Sequence, residues 1–231
     1  MAYTKRYDGR KFDEIRPISA EVGVVPRAKG SARFQIGNTI ALAAVYGPRG
    51  IHPKIQNPYR GILRCNYNMM SFSGSGNRVK PGPSRRSKEI GLITGNALLP
   101  ALDLSLYPGS VIDVYIELIQ TDAGTRCAGI TAAAMALADA GFQMKDLVTA
   151  IAMGSIEGKL VTDVSNEEEH HEGGSTDIPL ALMPRTGKIT MLQMDGYIKK
   201  DELKEILKSA RKAIMQIYKC QQDALKVRYK K

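Results

Sequence analysis

The chain has 231 residues, 43% of them hydrophobic, and its 33 Lys and Arg outweigh 23 Asp and Glu to give a net charge of +10, a size that buries a good core in one domain or two closely fused halves. The three cysteines, Cys65, Cys127 and Cys220, have no pairing or metal-ligand spacing, which excludes a disulfide framework and points to core thiols in a reducing compartment. Met1 to Arg16 is charged and lacks the apolar core of a signal peptide, and no apolar run is long enough for a membrane, so the expectation is a soluble, cytoplasmic protein.

Strand patterns come first, at Ala32 to Ile36 and Thr39 to Tyr46 about a Gly37-Asn38 turn, then at Ile62 to Met69. The third of these carries Arg64-Cys-Asn-Tyr67, whose tyrosine suits either an ordinary cross-strand aromatic or a platform for a nucleic-acid base. A Gly/Ser-rich loop, Ser71 to Asn77, leads to Lys80-Pro-Gly-Pro-Ser84-Arg85-Arg86 and a helix with apolar Ile90, Ile93, Ala97 and Leu98. Ser84 or Ser87 suits its cap. Two arginines at a helix start oppose the helix dipole, so an anionic partner explains them better than structure does, and phosphate-rich polymers are the obvious candidate.

From 110 to 121, Val111, Asp113, Tyr115, Glu117 and Ile119 alternate with Ile112, Val114, Ile116 and Leu118, a pattern for a well-buried strand. It runs into Asp122-Ala-Gly-Thr-Arg126 and an Ala-rich helix over 124–140 that Gly141 ends. Gly124 allows backbone to approach a ligand, and the first-turn N–H groups with Thr125 and Arg126 make an electrostatically favourable anion site. The same residues also suit a plain glycine turn followed by a solvated arginine.

A hairpin-like pair follows at Leu147 to Gly154 and Lys159 to Val164, and Asp163 and Asp177 then flank an acidic loop containing Glu167, Glu168, Glu169 and Glu172. Two carboxylates so placed suit a divalent ion or proton transfer, and Mg²⁺ in particular takes one or two carboxylates plus phosphate oxygens. Glu167 to Glu169 read as a solvated run, and His170 and His171 as solvent-facing. A hairpin at Ile178 to Met183 and Ile189 to Met194 turns through Arg185-Thr-Gly187. Last, Leu203, Ile206, Leu207, Ala210, Ile214, Ile217 and Leu225 repeat at helical spacing, predicting an amphipathic helix over Asp201 to Tyr229 that packs on a sheet.

Charge is uneven along this order. Positions 1 to 99 hold 17 basic against 5 acidic residues, 100 to 198 hold 5 against 14, and 199 to 231 hold 11 against 4. A basic part beside an acidic segment suits a metal-assisted enzyme acting on a polyanion, and equally an assembly with an acidic partner.

These segments together resemble the RNase PH family of phosphorolytic ribonucleases, and within it the active ring subunits of archaeal exosomes. The resemblance covers nearly the whole chain. It rests on Asp8-Gly-Arg10 with Ile15-Arg-Pro17, Gly30-Ser-Ala-Arg33, Ser84-Arg-Arg86 with Glu89-Ile90, Asp122-Ala-Gly-Thr-Arg126, Ala138-Asp-Ala-Gly141 and Asp177-Ile-Pro-Leu-Ala-Leu-Met-Pro184, in the family's order and spacing. Pro179 stands where free-standing bacterial members have Asn, and Thr125 where these subunits often have Ser, a change that keeps the hydroxyl.

The resemblance implies an α+β fold of two similar β-α halves fused in one unit over 1–231, with a core about 10–150 and a C-terminal half about 147–229. It implies 3′ to 5′ degradation of single-stranded RNA to nucleoside 5′-diphosphates, reversible as tailing. Phosphate would bind at Gly124, Thr125, Arg126 and Arg86, and RNA at Arg85, Arg86, Tyr67 and Arg64. Asp177 would be the catalytic carboxylate, with Asp163 helping to hold Mg²⁺ or another ion such as Mn²⁺. The implied partners are a homologous inactive subunit in a hexameric ring, a trimer of heterodimers, and RNA-binding cap subunits. Two other readings stay open: a catalytically silent ring subunit of the same fold, and a metal-dependent hydrolytic ribonuclease.

Overall fold

A computed structural model describes residues 3–230. Five strands, β1 (Ile18–Val22), β2 (Gly30–Ile36), β3 (Thr39–Gly50), β4 (Ile62–Met69) and β5 (Ser110–Gln120), form one sheet in the order β1-β2-β3-β5-β4. All its pairings are antiparallel except that of β4 with β5, which are joined by a crossover through helix α1 (Arg85–Leu98). A second, antiparallel sheet has the order β7-β6-β8-β9, from β6 (Thr149–Ile156), β7 (Lys159–Thr162), β8 (Ser175–Met183) and β9 (Lys188–Leu192).

Helix α2 (Thr125–Asp139) joins the two sheets and contacts both. Its sequence is small and apolar on every side, which is the composition of a helix with no solvent face; Ala132, Ala133, Ala134, Met135 and Leu137 are fully buried. One hydrophobic cluster runs from Phe34 and Ile116 in the first sheet through α2 to Ile151 and Leu180 in the second. The 30-residue helix α4 (Lys200–Tyr229) is amphipathic and lays Ile206, Ala210, Ala213, Ile214 and Ile217 against β1, β6 and β7. None of the helices among the described residues is long and apolar enough to cross a membrane.

The α+β architecture and the terminal amphipathic helix agree with the sequence expectations. Two elements go beyond them: β1, a five-residue edge strand just after Pro17, and the single turn α3 (Asn166–Glu169) within the acidic segment. Ser165 and Glu168 form a reciprocal capping box on α3, the device that lets so short a turn form. The segment before β1 packs on the second sheet, where Tyr3 and Phe12 join Ile156, Val161 and Val164 in a small separate cluster.

Candidate active site

A cleft of about 1500 Å³ is lined by the end of β5, the first turns of α1 and α2, one end of β8, and α3. At its base, the Thr39 hydroxyl donates to the Ala123 carbonyl at 2.8 Å and accepts from the Asp122 N–H at 3.1 Å, fixing the turn that leaves β5. Gly124 then takes φ +67° and no side chain caps the helix. A left-handed residue there favours glycine, and the uncapped first turn of α2 presents N–H donors and the positive dipole end to the cleft. Thr125 and the half-buried Arg126 line this wall, with Arg126 donating to Gln193 Oε1 at 2.6 Å.

From the other side comes α1, capped reciprocally by Ser84 and Ser87. Arg86 on its first turn lines the cleft; Arg85, one residue earlier, is exposed outside the lining.

Asp177 stands opposite on β8. Its backbone exchanges two 2.9 Å hydrogen bonds with Asp195 in an antiparallel bridge, and residues paired this way project their side chains from the same face. Asp177 Oδ1 is buried without a hydrogen-bond partner. Burial pushes the carboxyl up to about 6, with Arg126 and Arg86 pulling down and Asp195 pushing up. Glu169, the last residue of α3, is pushed up to about 7 by burial and by the Asp177 charge. The cleft therefore sets two carboxyls, both raised chiefly by burial, beside two guanidinium groups and an open helix start.

Besides Arg85, three expected site residues are corrected, and His171, expected to face solvent, is instead held between the Tyr7 hydroxyl at 2.6 Å and Glu157 Oε1 at 3.0 Å. Asp163 is outside the cleft lining: its side chain, 1% exposed, accepts from the Arg16 N–H at 2.7 Å, Arg16 Nε at 2.9 Å, Arg16 Nη2 at 2.7 Å and Arg10 Nη1 at 3.2 Å. With its lone pairs taken by arginines it anchors the N-terminal segment, and it is not free for a metal. Tyr67 points inward because β4 alternates, and its ring, 4% exposed, packs by Gly129 against the core and offers no face to a base. Burial raises its phenol, which lies beside Thr125. Arg64 is on the opposite face of β4, where its Nε donates to Asp113 Oδ1 at 2.7 Å and shares that buried carboxylate with Arg49.

Glu169 and Asp195, both in the cleft lining, escaped the sequence reading as site residues. In the run Glu167 to Glu169 a helical turn separates three fates: Glu167 is exposed, Glu168 is fully buried, and Glu169 faces Asp177. The capping pattern Ser165 to Glu168 was the available signal. Asp195 precedes Gly196, whose φ of +116° and close approach to Thr176, where a Cβ would lie 2.7 Å from Oγ1, mark a tight return of the chain beside β8.

Among the described residues no three His, Cys, Asp or Glu side chains are grouped to hold a metal by themselves. Mg²⁺ does not demand such a cage, since it binds through one or two carboxylates with water and substrate phosphate completing its shell. The unpartnered Asp177 oxygen beside Asp195 fits that donor set.

Residues 14–143 match domain 1 of the 3′ exoribonuclease family, and residues 146–213 match its domain 2. The chain is 54% identical over 228 residues to the exosome complex component Rrp41 of Thermococcus kodakarensis, covering 98% of this chain and 90% of that one. It is 50% identical over 225 residues to Rrp41 of Methanopyrus kandleri, covering 97% and 93%. In structure it is similar to rice Rrp46, with TM-score 0.83, 24% identity and coverage of 95% and 100%. It is also similar to a chain of the Archaeoglobus fulgidus exosome with RNA bound to the active site, with TM-score 0.79, 22% identity and coverage of 94% and 92%. At those identities the two structures speak for the fold.

Proposed function

The chain belongs to the RNase PH family of 3′ exoribonucleases, and from that premise we propose that it is the catalytic ring subunit of an archaeal exosome, shortening single-stranded RNA from its 3′ end by phosphorolysis. The observation that carries the reading is the meeting, in one cleft, of the uncapped first turn of α2 with Arg126, Arg86 and the Asp177 carboxyl, one oxygen of which is buried without a partner.

In the mechanism, orthophosphate lies against the Gly124, Thr125 and Arg126 turn, and Arg86 holds the RNA backbone at its last linkage. A phosphate oxygen attacks the phosphorus of the terminal phosphodiester. The bond from phosphorus to the 3′ oxygen breaks, and a nucleoside 5′-diphosphate leaves. Two anions must approach each other, so the guanidinium groups and the α2 dipole offset their repulsion and the charge that develops between them. Asp177, a carboxyl that holds its proton to about pH 6, protonates the departing 3′ oxygen. In its ionised form Asp177 would instead hold Mg²⁺ or Mn²⁺ together with Asp195, and the ion would then supply charge neutralisation in place of the proton. Because the bond broken and the bond formed are similar in energy, tailing of RNA from nucleoside diphosphates runs when phosphate is scarce.

The relatives' names as exosome complex components support membership of such a complex, and the assembly proposed for this chain is a cytoplasmic hexameric ring alternating it with a homologous inactive subunit, beneath RNA-binding caps. The test is degradation of an end-labelled single-stranded RNA with Mg²⁺, by the chain alone and with its ring partner, with and without phosphate. Phosphate-dependent nucleoside diphosphates are expected. Monophosphates formed regardless of phosphate mean hydrolysis, and no product even with the partner means a silent subunit.

The arginines give a separate prediction. Arg86→Glu should weaken RNA binding and lower the slope of log affinity against log salt by about 0.7 for each RNA phosphate that is no longer neutralised. Arg85→Glu, outside the cleft, should change both much less. Titrations between low and moderate salt check this, and equal effects of the two substitutions would remove Arg86 from the RNA path.

A further inference from the structure

We propose that Phe72 is the platform on which the base at the RNA 3′ end stacks, an inference that rests on the reading of this cleft as an RNA-degrading site. The chain contains four Phe and no Trp. Phe34 and Phe142 belong to the main core and Phe12 packs on the small cluster under the N-terminal segment. Phe72 alone of the four is 74% exposed, and it is the one Phe or Tyr in the lining of the cleft, which it shares with Arg86, Thr125, Arg126 and Asp177.

Its position is built. Ser73 N–H donates to the Met70 carbonyl at 2.9 Å, closing a turn with Phe72 at its third residue. The turn is fastened to the β5 chain on both sides, by Met70 N–H to the Leu118 carbonyl at 3.0 Å and by Thr121 N–H to the Ser73 carbonyl at 2.8 Å. Ser73 itself is buried. A ring with only two side-chain torsions on a backbone pinned this way loses little freedom when a flat partner covers it. Apolar area left in water on so well-fixed a turn gains nothing in the free chain, and gains by burial when covered.

The occupant follows from the surroundings. The cleft is strongly polar, and Arg86, Arg126 and the open start of α2 in its lining give a phosphate chain its cationic partners, which suits that polymer and not an apolar peptide; the flat apolar part of such a polymer is its base. Every base has a π face, so stacking on a ring holds the terminal nucleotide whatever its identity, as an enzyme that removes residues in succession requires. This gives Phe72 the role that β4 alternation denies to Tyr67.

The test uses the assembled complex and two oligonucleotides, one with a normal and one with an abasic 3′ nucleotide. In the unaltered protein the abasic end should raise the KM for RNA about 5- to 150-fold, the range base stacking on an aromatic supports. Phe72→Ala should raise the KM for the normal RNA by a similar factor and leave the KM for phosphate unchanged, and the abasic end should then cost nothing more. Phe72→Trp should restore the normal value. An unchanged KM in Phe72→Ala, or an abasic penalty that persists undiminished in it, overturns the proposal. Equilibrium binding of the same oligonucleotides without phosphate reads the same coupling in the absence of turnover. Coupled binding without diphosphate release would therefore refute the phosphorolytic reading alone, and diphosphate release without coupling would refute the role of Phe72 alone.

Discussion

Asp177→Asn is expected to lower phosphate-dependent turnover about 10²- to 10⁴-fold, the usual worth of a positioned proton donor, and at the same time to stabilise the protein at pH 8. The two effects have one origin. Asp177 is raised from an ordinary 3.8 to about 6, chiefly by burial, so the folded chain binds this proton more tightly than the unfolded chain does. A carboxyl raised in this way contributes stability that is fully present below about pH 4 and is lost as pH rises through about 6. Glu169, raised to about 7 beside it, carries the same sign over a slightly higher window. At pH 8 the native protein holds both groups ionised and half-buried, against one at most in the amide variant.

A rise from 3.8 to about 6 corresponds to about 3 kcal/mol at full burial; water at the cleft mouth reduces this to roughly 1–2 kcal/mol. For a chain of this length that is a rise of about 2–8 °C in the unfolding midpoint. At pH 4 the carboxyl is protonated in the native protein as well, and the two midpoints should converge. Thermal melts at both pH values, paired with product analysis, decide the matter. An Asn variant that melts with the native protein at pH 8 overturns the burial cost assigned to the carboxyl, and one that degrades RNA at a near-native rate once assembled removes Asp177 from the chemistry.

The same physical distinction explains what the sequence disclosed. Periodicity, turn residues and caps are local, and they placed β4 over Ile62 to Met69, β5 from 110, α2 from Gly124 and the amphipathic α4 within a residue or two of where they stand. The phosphate-binding candidates, Thr125 and Arg126, and Asp177 were legible for the same reason, since each sits at a strand end or helix start that local pattern marks. What failed was facing. Whether Tyr67 or Arg64 looks into a cleft depends on which side of β4 receives α1 and α2, and alternation fixes only that the two residues look opposite ways.

Partnership failed likewise. Asp163 and Asp177 are both carboxylates at strand ends, yet one is surrounded by Arg10 and Arg16, some 150 positions earlier in the chain, and the other has an oxygen left unpaired. Asp195 was invisible because the bridge that sets it beside Asp177 lies outside any named strand. Glu169 was hidden in a run of like residues that composition alone assigns to solvent.

The arginines of the N-terminal segment give the second large effect, on the fold that holds the site. Arg6→Met is expected to destabilise the protein by about 3–5 kcal/mol, the cost of stranding a buried charge. Arg6 and Glu168 are both 0% exposed in their side chains. The guanidinium donates Nε to Glu168 Oε1 at 2.8 Å and Nη2 to Glu168 Oε2 at 2.8 Å, and its remaining N–H groups reach the carbonyls of Thr162 at 2.8 Å and Asp163 at 2.7 Å. Glu168 further accepts from the Tyr3 hydroxyl at 2.6 Å and caps α3 through the Ser165 N–H at 2.9 Å. Although burial alone would raise Glu168, Arg6 and these donors hold it below its ordinary value.

A depressed carboxyl contributes stability above its unfolded value that is lost as pH falls through the folded one. Without Arg6 burial prevails and the sign reverses. The deficit of the variant should therefore be greatest near pH 7 and shrink toward pH 4.5, where Glu168 takes up a proton. Arg6→Met combined with Glu168→Met should recover most of the stability, because an apolar pair of similar volume replaces a buried ion pair at little net cost. Denaturant melts of the two variants at pH 7 and 4.5 measure all of this, and a single-variant deficit below about 1 kcal/mol would show that the pair is not the anchor. Recovery of stability in the double variant need not bring recovery of turnover. Glu168 is the turn residue that aims Glu169 at Asp177, so a stable double variant that still degrades RNA slowly would separate what the arginine does for the fold from what it does for the cleft.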